Sequence, residues 1–211
     1  GCIILDDAFQ YRALAADVSI VLVDWSRPVY EDDLLPLGRL RDIPERLEAA
    51  DVVVVTKCPA YISREDREAW REKLRLREDQ TLLFTEIAYC GMKPVFGNMC
   101  ESRYKYSTKA VTVTAIASDG PFKNYVSSKF ELEKTISFGD HHDFSAGDIS
   151  GMQAVAEYYP NALFLTTEKD AQRLRAVSAS LPHTIKKRLY YIPIQARFCF
   201  PEDQQTLASL L

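Results

Sequence analysis

The sequence has little of what marks a membrane-spanning, a secreted or a nucleic-acid-binding protein. Its longest apolar run, residues 18–23, is interrupted by Ser19 and is far shorter than the roughly 20 residues that cross a bilayer. The five cysteines are an odd number without C-x-x-C spacing, which favours a reducing compartment over a disulfide framework. The formal net charge is only −4, without long blocks of like charge. We therefore expect no membrane span, no secretion and no nucleic-acid partner.

Glycine-rich phosphate-binding loops are also missing from the sequence. None of the eight glycines lies in a G-x-x-x-x-G-K-[ST] or G-x-G-x-x-G pattern, and there is no G-x-S-x-G sequence. Residue 1 is glycine rather than methionine, and a strand-like run begins at once. We interpret the chain as part of a longer protein. If that protein transfers phosphate, we expect its phosphate-binding loop upstream of Gly1.

The order of apolar and amphipathic segments predicts an α/β fold. With 47% apolar and 27% charged residues, the composition is that of an ordinary globular protein. Short apolar runs alternate with helix-length segments, which is typical of a parallel sheet with helices on both faces. The predicted strands are 1–5, 19–24, 51–56, 81–87, 110–116, 134–138, 162–166 and 190–193. The predicted helices are 38–50, 63–76, 121–130 and two that follow Ser145 and Thr167, where the spacing is that of a helix cap.

One break in this pattern indicates two domains. Residues 90–108 contain glycine, proline and asparagine and then a polar stretch, a composition typical of a boundary. We predict a first α/β unit at 1–107 and a second, smaller α/β unit at 108–211.

Two acidic residues after the first predicted strand form the first candidate site. Asp6 and Asp7 would lie at the carboxyl edge of a parallel sheet, where open α/β folds bind ligands and where an acid can contact Mg²⁺ or its water. A strand-end aspartate that caps the next turn explains this motif alone equally well.

A glycine and two arginines form the second candidate site. Gly38 permits a tight turn into the predicted helix 38–50, and Arg39 and Arg41 are placed to bind phosphate oxygens near free N–H groups. Taken alone, solvated arginines at a helix start are the commoner explanation.

The third and fourth candidates follow two later strands. His141 and His142 lie between Asp140 and Asp143, and a histidine oriented by a carboxylate is a usual base near neutral pH. Metal ligation, or a polar loop with one histidine satisfied internally, explains the same residues. In the fourth motif, Lys169 stands beside a Thr-x-x-Asp cap and would point toward the same sheet edge.

Taken in order, these motifs resemble one enzyme family. The segments D-D-A-F-Q-Y-R, L-L-P-L-G-R-L-R-D, A-D-V-V-V-V-T-K, F-G-D-H-H-D-F-S and T-T-E-K-D-A are similar to motifs of the tetraacyldisaccharide 4'-kinases of lipid A biosynthesis. The resemblance covers nearly the whole chain and is greatest to Bacteroidetes-type members, without the N-terminal P-loop part of that family.

The resemblance implies a P-loop NTPase-like kinase of two α/β units at the cytosolic face of the bacterial inner membrane. Residues 1–107 would be the C-terminal part of the kinase domain with its linker. With ATP and Mg²⁺, such an enzyme phosphorylates the 4'-hydroxyl of a tetraacyldisaccharide 1-phosphate, a lipid substrate. The P-loop, an aspartate base and a membrane-contacting helix would belong to the upstream part, so we expect this chain alone to be inactive.

The resemblance also implies roles for individual residues. His141 would be catalytic by supporting the aspartate base, and Asp6 and Asp7 would be paired catalytic acids near the metal. The residues implied to bind substrate or phosphate are Gln10, Tyr11, Arg12, Arg41 and Asp42, and Asp42 would also join Asp6 and Asp7 at Mg²⁺. Tyr11 stands where the family usually has histidine, and a phenol donates one hydrogen bond but carries no positive charge.

Two other functions fit parts of the sequence. Asp140, His141 and His142 spell the motif of DHH-type metal-dependent phosphoesterases, but these enzymes need further ligands and only His183 remains as a histidine. A non-catalytic fragment that binds a lipid head group or a protein is the other alternative. Metal content without nucleotide and a thermal shift with ATP distinguish the three.

Overall fold

The computed structural model describes residues 3–11, 13–40 and 42–211 and divides into two compact units. The first unit comprises Gly1–Ala88 and Ala196–Leu211, and the second comprises Tyr89–Gln195. The units differ from the predicted division at 107/108, and the second is not the smaller one. The reason is that residues 90–108, although irregular, pack in the second unit, where Val95 joins the hydrophobic core. Composition alone does not show on which side such a segment packs.

Strands and helices alternate along most of the chain, so the predicted α/β fold is confirmed. The strands are β1 (Ile20–Asp24), β2 (Val52–Cys58), β3 (Thr81–Tyr89), β4 (Lys93–Pro94), β5 (Lys109–Thr114), β6 (Glu131–Ser137), β7 (Leu163–Thr167), β8 (Leu189–Ile192) and β9 (Ile194–Phe198). The α-helices are α1 (Arg64–Lys73), α2 (Gly120–Lys129), α3 (Ala146–Tyr158), α4 (Glu168–Ala176), α5 (His183–Lys186) and α6 (Pro201–Leu210). In the described ranges, no helix has both the length and the apolar character that crossing a bilayer requires.

The first unit is built on a sheet with the strand order β1-β2-β3-β9. Strands β1, β2 and β3 are parallel, and β2 is largely buried because its valines face apolar groups on both sides. Trp70 and Leu74, from α1 and the residue after it, pack on one face of this sheet. Leu207 of α6 packs on the other face, so helices cover both faces.

Helix α6, which is not among the predicted helices, is attached to the first sheet by a buried carboxylate. Asp203 is fully buried, and it accepts hydrogen bonds from Nη1 of Arg67 at 2.7 Å and from the backbone N–H of Phe84 at 3.0 Å. Arg67 also donates to the carbonyl oxygen of Leu82 at 2.7 Å. Because the buried charge is paired and hydrogen-bonded, the helix is fixed to β3 and α1 at one point.

The second unit is built on a sheet with the order β4-β8-β7-β5-β6. Strands β5, β6, β7 and β8 are parallel, and the short β4 pairs with β8 in the antiparallel direction at one edge. Met152 of α3, Leu174 of α4 and Ile185 of α5 are buried in the core on one face. Phe122 and Val126 of α2 are buried in the core on the other face.

A buried arginine that binds backbone carbonyl groups holds the end of α3 in this unit. Arg188 is only 3% exposed, and its guanidinium donates to the carbonyl oxygens of Tyr159 at 2.6 Å, Thr184 at 2.9 Å and Ala162 at 3.3 Å, and also to that of Ala156. Carbonyl groups at a helix C-terminus have no partner within the helix. Arg188 supplies that partner and joins α3 to the segment before β8.

Helix α3 begins with the predicted capping box. Ser145 Oγ accepts from the N–H of Asp148, and Asp148 Oδ2 accepts from the Ser145 N–H at 2.7 Å and from its hydroxyl at 2.6 Å. Nε2 of His142 lies 2.9 Å from the same carboxylate oxygen. These hydrogen bonds, first those from Ser145 and then that from His142, lower the pKa of Asp148 to about 2.

Two predicted elements are wrong in the structure. Residues 3–5 of the predicted strand 1–5 are not a strand, and Ile3 and Ile4 are 87% and 89% exposed, while residues 1 and 2 lie outside the described residues. A strand needs a neighbour for its backbone groups, and residues 3–5 pair with no strand in the described part of the chain. The predicted helix 38–50 is only a 3₁₀ helix at Pro44–Ala49. A proline disfavours helical backbone in the residue before it, and Ile43 is accordingly extended.

The buried arginine generates a stability prediction. Replacing Arg188→Met removes the donors and leaves buried carbonyl groups unpaired, so we expect the free energy of unfolding to fall by about 2–4 kcal/mol. Arg103→Met is the matched control, because Arg103 stacks on the same Tyr104 ring but has an exposed side chain. Urea denaturation followed by circular dichroism measures both variants. Equal, small losses would contradict the anchoring role of Arg188.

The capping box generates a pH prediction. Because the folded-state pKa of Asp148 is lowered from 3.8 to about 2, its contribution to stability is complete above pH 3.8 and is lost as the pH falls toward 2. Asp148→Asn should therefore lower the urea midpoint at neutral pH. The difference in stability between this variant and the unsubstituted chain should become smaller as the pH falls toward 2. His142→Ala should have the same effect in weaker form, since it removes one donor to this carboxylate. Parallel pH profiles for all three proteins would show that the carboxylate charge is irrelevant.

Candidate functional site

The third and fourth sequence motifs meet at the carboxyl edge of the second sheet. The loop after β6 carries Asp140 and His141, and the first two turns of α4, after β7, carry Lys169 and Arg173. Nζ of Lys169 lies 3.3 Å from Oδ1 of Asp140, and Nη2 of Arg173 lies 3.0 Å from Nδ1 of His141. The carboxyl edge of a parallel sheet is the usual ligand-binding edge of such folds. These four side chains form what we term the edge cluster.

His141 has an unusual backbone conformation within the edge cluster. Its φ angle is 60°, in the left-handed region, and its side chain is 72% exposed. Its backbone N–H donates to Oδ1 of Asp140 at 3.0 Å. Left-handed backbone costs a residue with a side chain roughly 1–2 kcal/mol, and such costs concentrate at functional sites. The ring is thus presented at the sheet edge by a strained backbone.

Asp140 is held as a carboxylate by its neighbours. Desolvation acts to raise the pKa of Asp140, but the hydrogen bond and charge of Lys169 and the electrostatic effect of the neighbouring His141 outweigh it, and the pKa lies below the ordinary value. The edge cluster therefore contains a carboxylate between a lysine and an imidazole.

Arg173 is fixed by contacts behind the edge cluster. Asp170 is fully buried, and its Oδ2 accepts from the N–H of Ala115 at 3.0 Å and from the hydroxyl of Thr167 at 2.8 Å. Nη1 of Arg173 lies 3.3 Å from Oδ1 of Asp170 and donates to the carbonyl oxygen of Ala115 at 3.0 Å. Arg173 is not among the site residues predicted from the sequence. Its signal was the position one helical turn after Asp170, on the same face of α4.

His142 points away from the edge cluster. Its ring stacks on Phe138 with centroids 4.6 Å apart and planes at 10°, and it binds the carboxylate of Asp148. The two neighbouring histidines therefore have different partners. Over the part of the chain that the structure describes, no group of three or more His, Cys, Asp and Glu side chains is arranged to hold a metal ion. A metal-dependent phosphoesterase of the DHH type is not favoured, since a guanidinium faces one imidazole and the other is used in the helix cap.

In the first unit, one arginine links the first and second sequence motifs. The ring of Phe9, which follows the paired aspartates by two residues, packs against the core of that unit. The guanidinium of Arg46 lies over this ring at 5.2 Å, and its Nε is 3.2 Å from Oδ2 of Asp42. Arg46 thus holds the two motifs next to each other, although the sequence analysis gave it no role.

Four of the other predicted site residues of the first unit, Asp6, Asp7, Gln10 and Tyr11, are exposed. Asp6 and Asp7 lie in a turn, with Asp7 in the left-handed region at φ 52°. Gln10 is exposed, and so is Tyr11, to 68%. Asp42, which contacts Arg46, also accepts a hydrogen bond from the N–H of Ile43 at 2.9 Å. Arg12 and Arg41 lie outside the described residues.

A cleft of about 420 Å³ lies beside the second motif. It is lined by acidic and basic groups together with a leucine, a serine, a proline and a glycine: Ser26, Arg27, Pro28, Glu31, Asp32, Leu37, Gly38 and Arg39. Gly38 is required there, because a Cβ atom at this position would lie 2.1 Å from the carbonyl oxygen of Asp33. The close approach turns the chain so that the backbone N–H of Arg39 donates to Asp32 at 3.2 Å. Gly38 therefore shapes the turn, as the sequence predicts, but no helix follows it directly.

Comparison with known proteins gives one consistent result. The family model described as LpxK, tetraacyldisaccharide-1-P 4'-kinase, matches residues 1–211. The tetraacyldisaccharide 4'-kinase of Porphyromonas gingivalis is 34% identical over 99% of this chain and 59% of its own length. That of Parabacteroides distasonis is 36% identical over 96% of this chain and 56% of its own length. The chain thus spans less than two thirds of the curated relatives that it matches.

A solved structure supports the fold. The crystal structure titled as the "apo" form of LpxK from Aquifex aeolicus in complex with ATP matches 97% of this chain and 55% of its own chain, with a TM-score of 0.61 and 19% sequence identity. The parallel sheets of the two units, the ordered series of motifs and the family match over all 211 residues agree. The chain belongs to the tetraacyldisaccharide-1-P 4'-kinase family.

Proposed function

We propose that this chain is part of an ATP-dependent kinase that phosphorylates the 4'-hydroxyl of a tetraacyldisaccharide 1-phosphate in lipid A biosynthesis. The observation that carries the proposal is the match of the family model to all 211 residues. Relatives that are 34–36% identical carry the name of this activity. Because the chain spans 59% or less of those relatives, the activity belongs to the longer protein. The work of that enzyme would take place at the cytosolic face of the inner membrane, where its lipid substrate is located.

The exposed acids of the first unit fit a magnesium ion. Mg²⁺ prefers oxygen ligands and is usually held by one or two carboxylates together with substrate phosphates. Asp6 and Asp7 are exposed neighbours on one turn, so two carboxylates lie side by side where such an ion would bind with ATP. Asp42 would be a third carboxylate at that ion, although it also contacts Arg46 and the Ile43 N–H. The bound ion would neutralise charge on the phosphates.

The basic groups of the first unit fit the phosphates of the substrates. Arg27 and Arg39 line the same cleft, and arginine binds phosphate oxygens with two parallel donors. Gln10 and Tyr11 are exposed donors next to the paired aspartates, and Arg12 and Arg41 are assigned to the same task by the family pattern. The acids Glu31 and Asp32 in the cleft would repel a phosphate, which restricts phosphate binding to its arginine side.

His141 is the proposed catalytic residue of the second unit. A sugar hydroxyl is a weak nucleophile, and a positioned proton acceptor typically contributes about 10² to 10⁴-fold to the rate. The exposed ring of His141 would support an aspartate base from the upstream part of the enzyme by contact with its carboxylate. His142 would not take part, since its ring is used in the cap of α3.

The magnesium assignment generates a kinetic prediction. In a full-length protein that carries this sequence, Asp6→Ala and Asp7→Ala should each lower kcat, because a metal-bridging carboxylate acts mainly on charge that develops in the transition state. Raised Mg²⁺ should partly restore kcat. Asp17→Ala, at an acid in the same unit outside the motif, is the control. If kcat stays unchanged in both motif variants, the aspartates only cap the turn.

The paired histidines test the proposed function directly. In the full-length protein, His141→Ala should lower kcat by about 10² to 10⁴-fold with the KM for ATP nearly unchanged, because it affects the proton-accepting group. His142→Ala should lower kcat far less and should mainly reduce stability, since it removes a helix-cap contact. Steady-state kinetics with the disaccharide substrate and urea denaturation separate the two effects.

The metal content of the same two variants tests the phosphoesterase alternative. A kinase that uses His141 without a metal keeps the same metal content in both variants. If both substitutions abolish metal binding and activity together, the kinase assignment of this loop is wrong.

A further inference from the structure

We propose that Arg173 is a positioning residue that fixes the ring of His141 as the Nε2–H tautomer, with Nε2 available as a hydrogen-bond donor. The catalytic consequence rests on the proposed function, but the tautomer itself does not. Nη2 of Arg173 lies 3.0 Å from Nδ1 of His141. A guanidinium has only donors and stays protonated, so Nδ1 must accept this hydrogen bond. In the neutral ring, the hydrogen then resides on Nε2.

Contacts on the other side of the guanidinium hold Arg173 in its orientation toward His141. Its Nη1 donates to the Ala115 carbonyl oxygen at 3.0 Å and lies 3.3 Å from the fully buried Asp170 carboxylate. Asp170 is itself held by the backbone N–H of Ala115 and by Thr167. The guanidinium is planar, so these contacts on one side set the direction of Nη2 on the other.

The other ring nitrogen of His141, Nε2, lies near Asp140 but is too far away for a hydrogen bond to it. Nε2 of His141 lies 3.6 Å from Oδ2 of Asp140, beyond hydrogen-bond distance, and the side chain is 72% exposed. Lys169 already binds the other oxygen of Asp140. Among the described residues, Arg173 contacts the ring directly, and Lys169 is joined to it through Asp140. An exposed N–H at the edge of such a cluster suits an anionic acceptor such as a carboxylate or a phosphate oxygen.

This arrangement limits what His141 can do in the proposed reaction. Neutral His141 cannot accept a proton at Nε2 while that atom carries hydrogen, and Arg173 occupies the lone pair of Nδ1. The ring would therefore act as a donor that orients an anionic partner, and the proton of the sugar hydroxyl would go to that partner. His141 would thus orient the anionic partner, and the partner would accept the proton.

The tautomer is measured directly by nitrogen NMR of the 211-residue chain labelled at histidine. The chain has only three histidines, so His142→Gln and His183→Gln assign the signals. At a pH at which the ring is neutral, His141 should show a hydrogen-bearing Nε2 and a bare Nδ1. Arg173→Met should give a mixture of the two tautomers, while Arg173→Lys, which keeps a charged donor, should restore part of the Nε2–H population. A wild-type ring with hydrogen on Nδ1 overturns the proposal without any variant.

Arg175→Met is the matched control for this experiment. Arg175 lies on the same helix, but its Nε donates to the Val95 carbonyl oxygen and its guanidinium lies over Tyr191. This variant should leave the His141 tautomer unchanged. If Arg173→Met also leaves it unchanged, or if Arg175→Met shifts it equally, the positioning role of Arg173 is wrong.

Kinetics of the full-length protein separate this proposal from the proposed function. Arg173→Met should lower kcat about tenfold, the effect of one lost hydrogen bond to a charged group, with the KM for ATP unchanged. In the His141→Ala background it should have no further effect, because both changes act through one ring. If the tautomer shifts as expected but His141→Ala keeps full activity, the proposed function fails and the positioning role stands. Additive losses of kcat would overturn the functional part of the proposal.

Discussion

The buried carboxylate of Asp170 is the contact on which the edge cluster depends. It accepts the N–H of Ala115 just after β5 and the hydroxyl of Thr167 at the end of β7, and it lies next to the guanidinium of Arg173. A fully buried charge is stable only when its partners are complete, so the ends of two strands and one helix are held in one arrangement. Every exposed member of the cluster is placed relative to that arrangement. The order of the edge cluster therefore depends on a group that is itself fully buried.

In each unit, a buried charged side chain fixes the position of one helix. Asp203 in the first unit is a buried charge bound by one guanidinium and one backbone N–H, and Arg188 in the second is a buried charge bound to backbone carbonyl groups. An unpaired backbone group in the interior has a high free energy. These hydrogen bonds therefore favour the one position of the helix in which the buried groups have partners. The apolar cores would tolerate several packings of α3 and α6. The buried polar contacts select one of them.

The sequence was informative wherever one local rule determined the structure. The α/β order, the capping box of Ser145 and Asp148 and the cap at Thr167 follow from periodicity and short spacing, and the structure confirms them. The predicted strand 1–5 is wrong over its described residues 3–5, because a strand depends on neighbours. The predicted helix 38–50 is wrong because Pro44 restricts the backbone of Ile43. The packing of residues 90–108 in the second unit depends on distant contacts. Arg173 was missed for the same reason, because its partner is 32 positions away in the chain. The roles of Asp6, Asp7, Gln10, Tyr11, Arg12, Arg41, Asp42 and His141 stay predictions.

The left-handed backbone at His141 has a consequence for how this protein can change in evolution. Two features coincide at one position: the imidazole to which a role is proposed, and a φ angle of 60°. Asparagine and glycine adopt this backbone with little cost, whereas valine, isoleucine and threonine do so only with great strain. Substitutions that preserve the loop thus lose the imidazole, and branched substitutions lose the loop as well. Drift at this position is therefore confined to a few residue types even before any selection for activity.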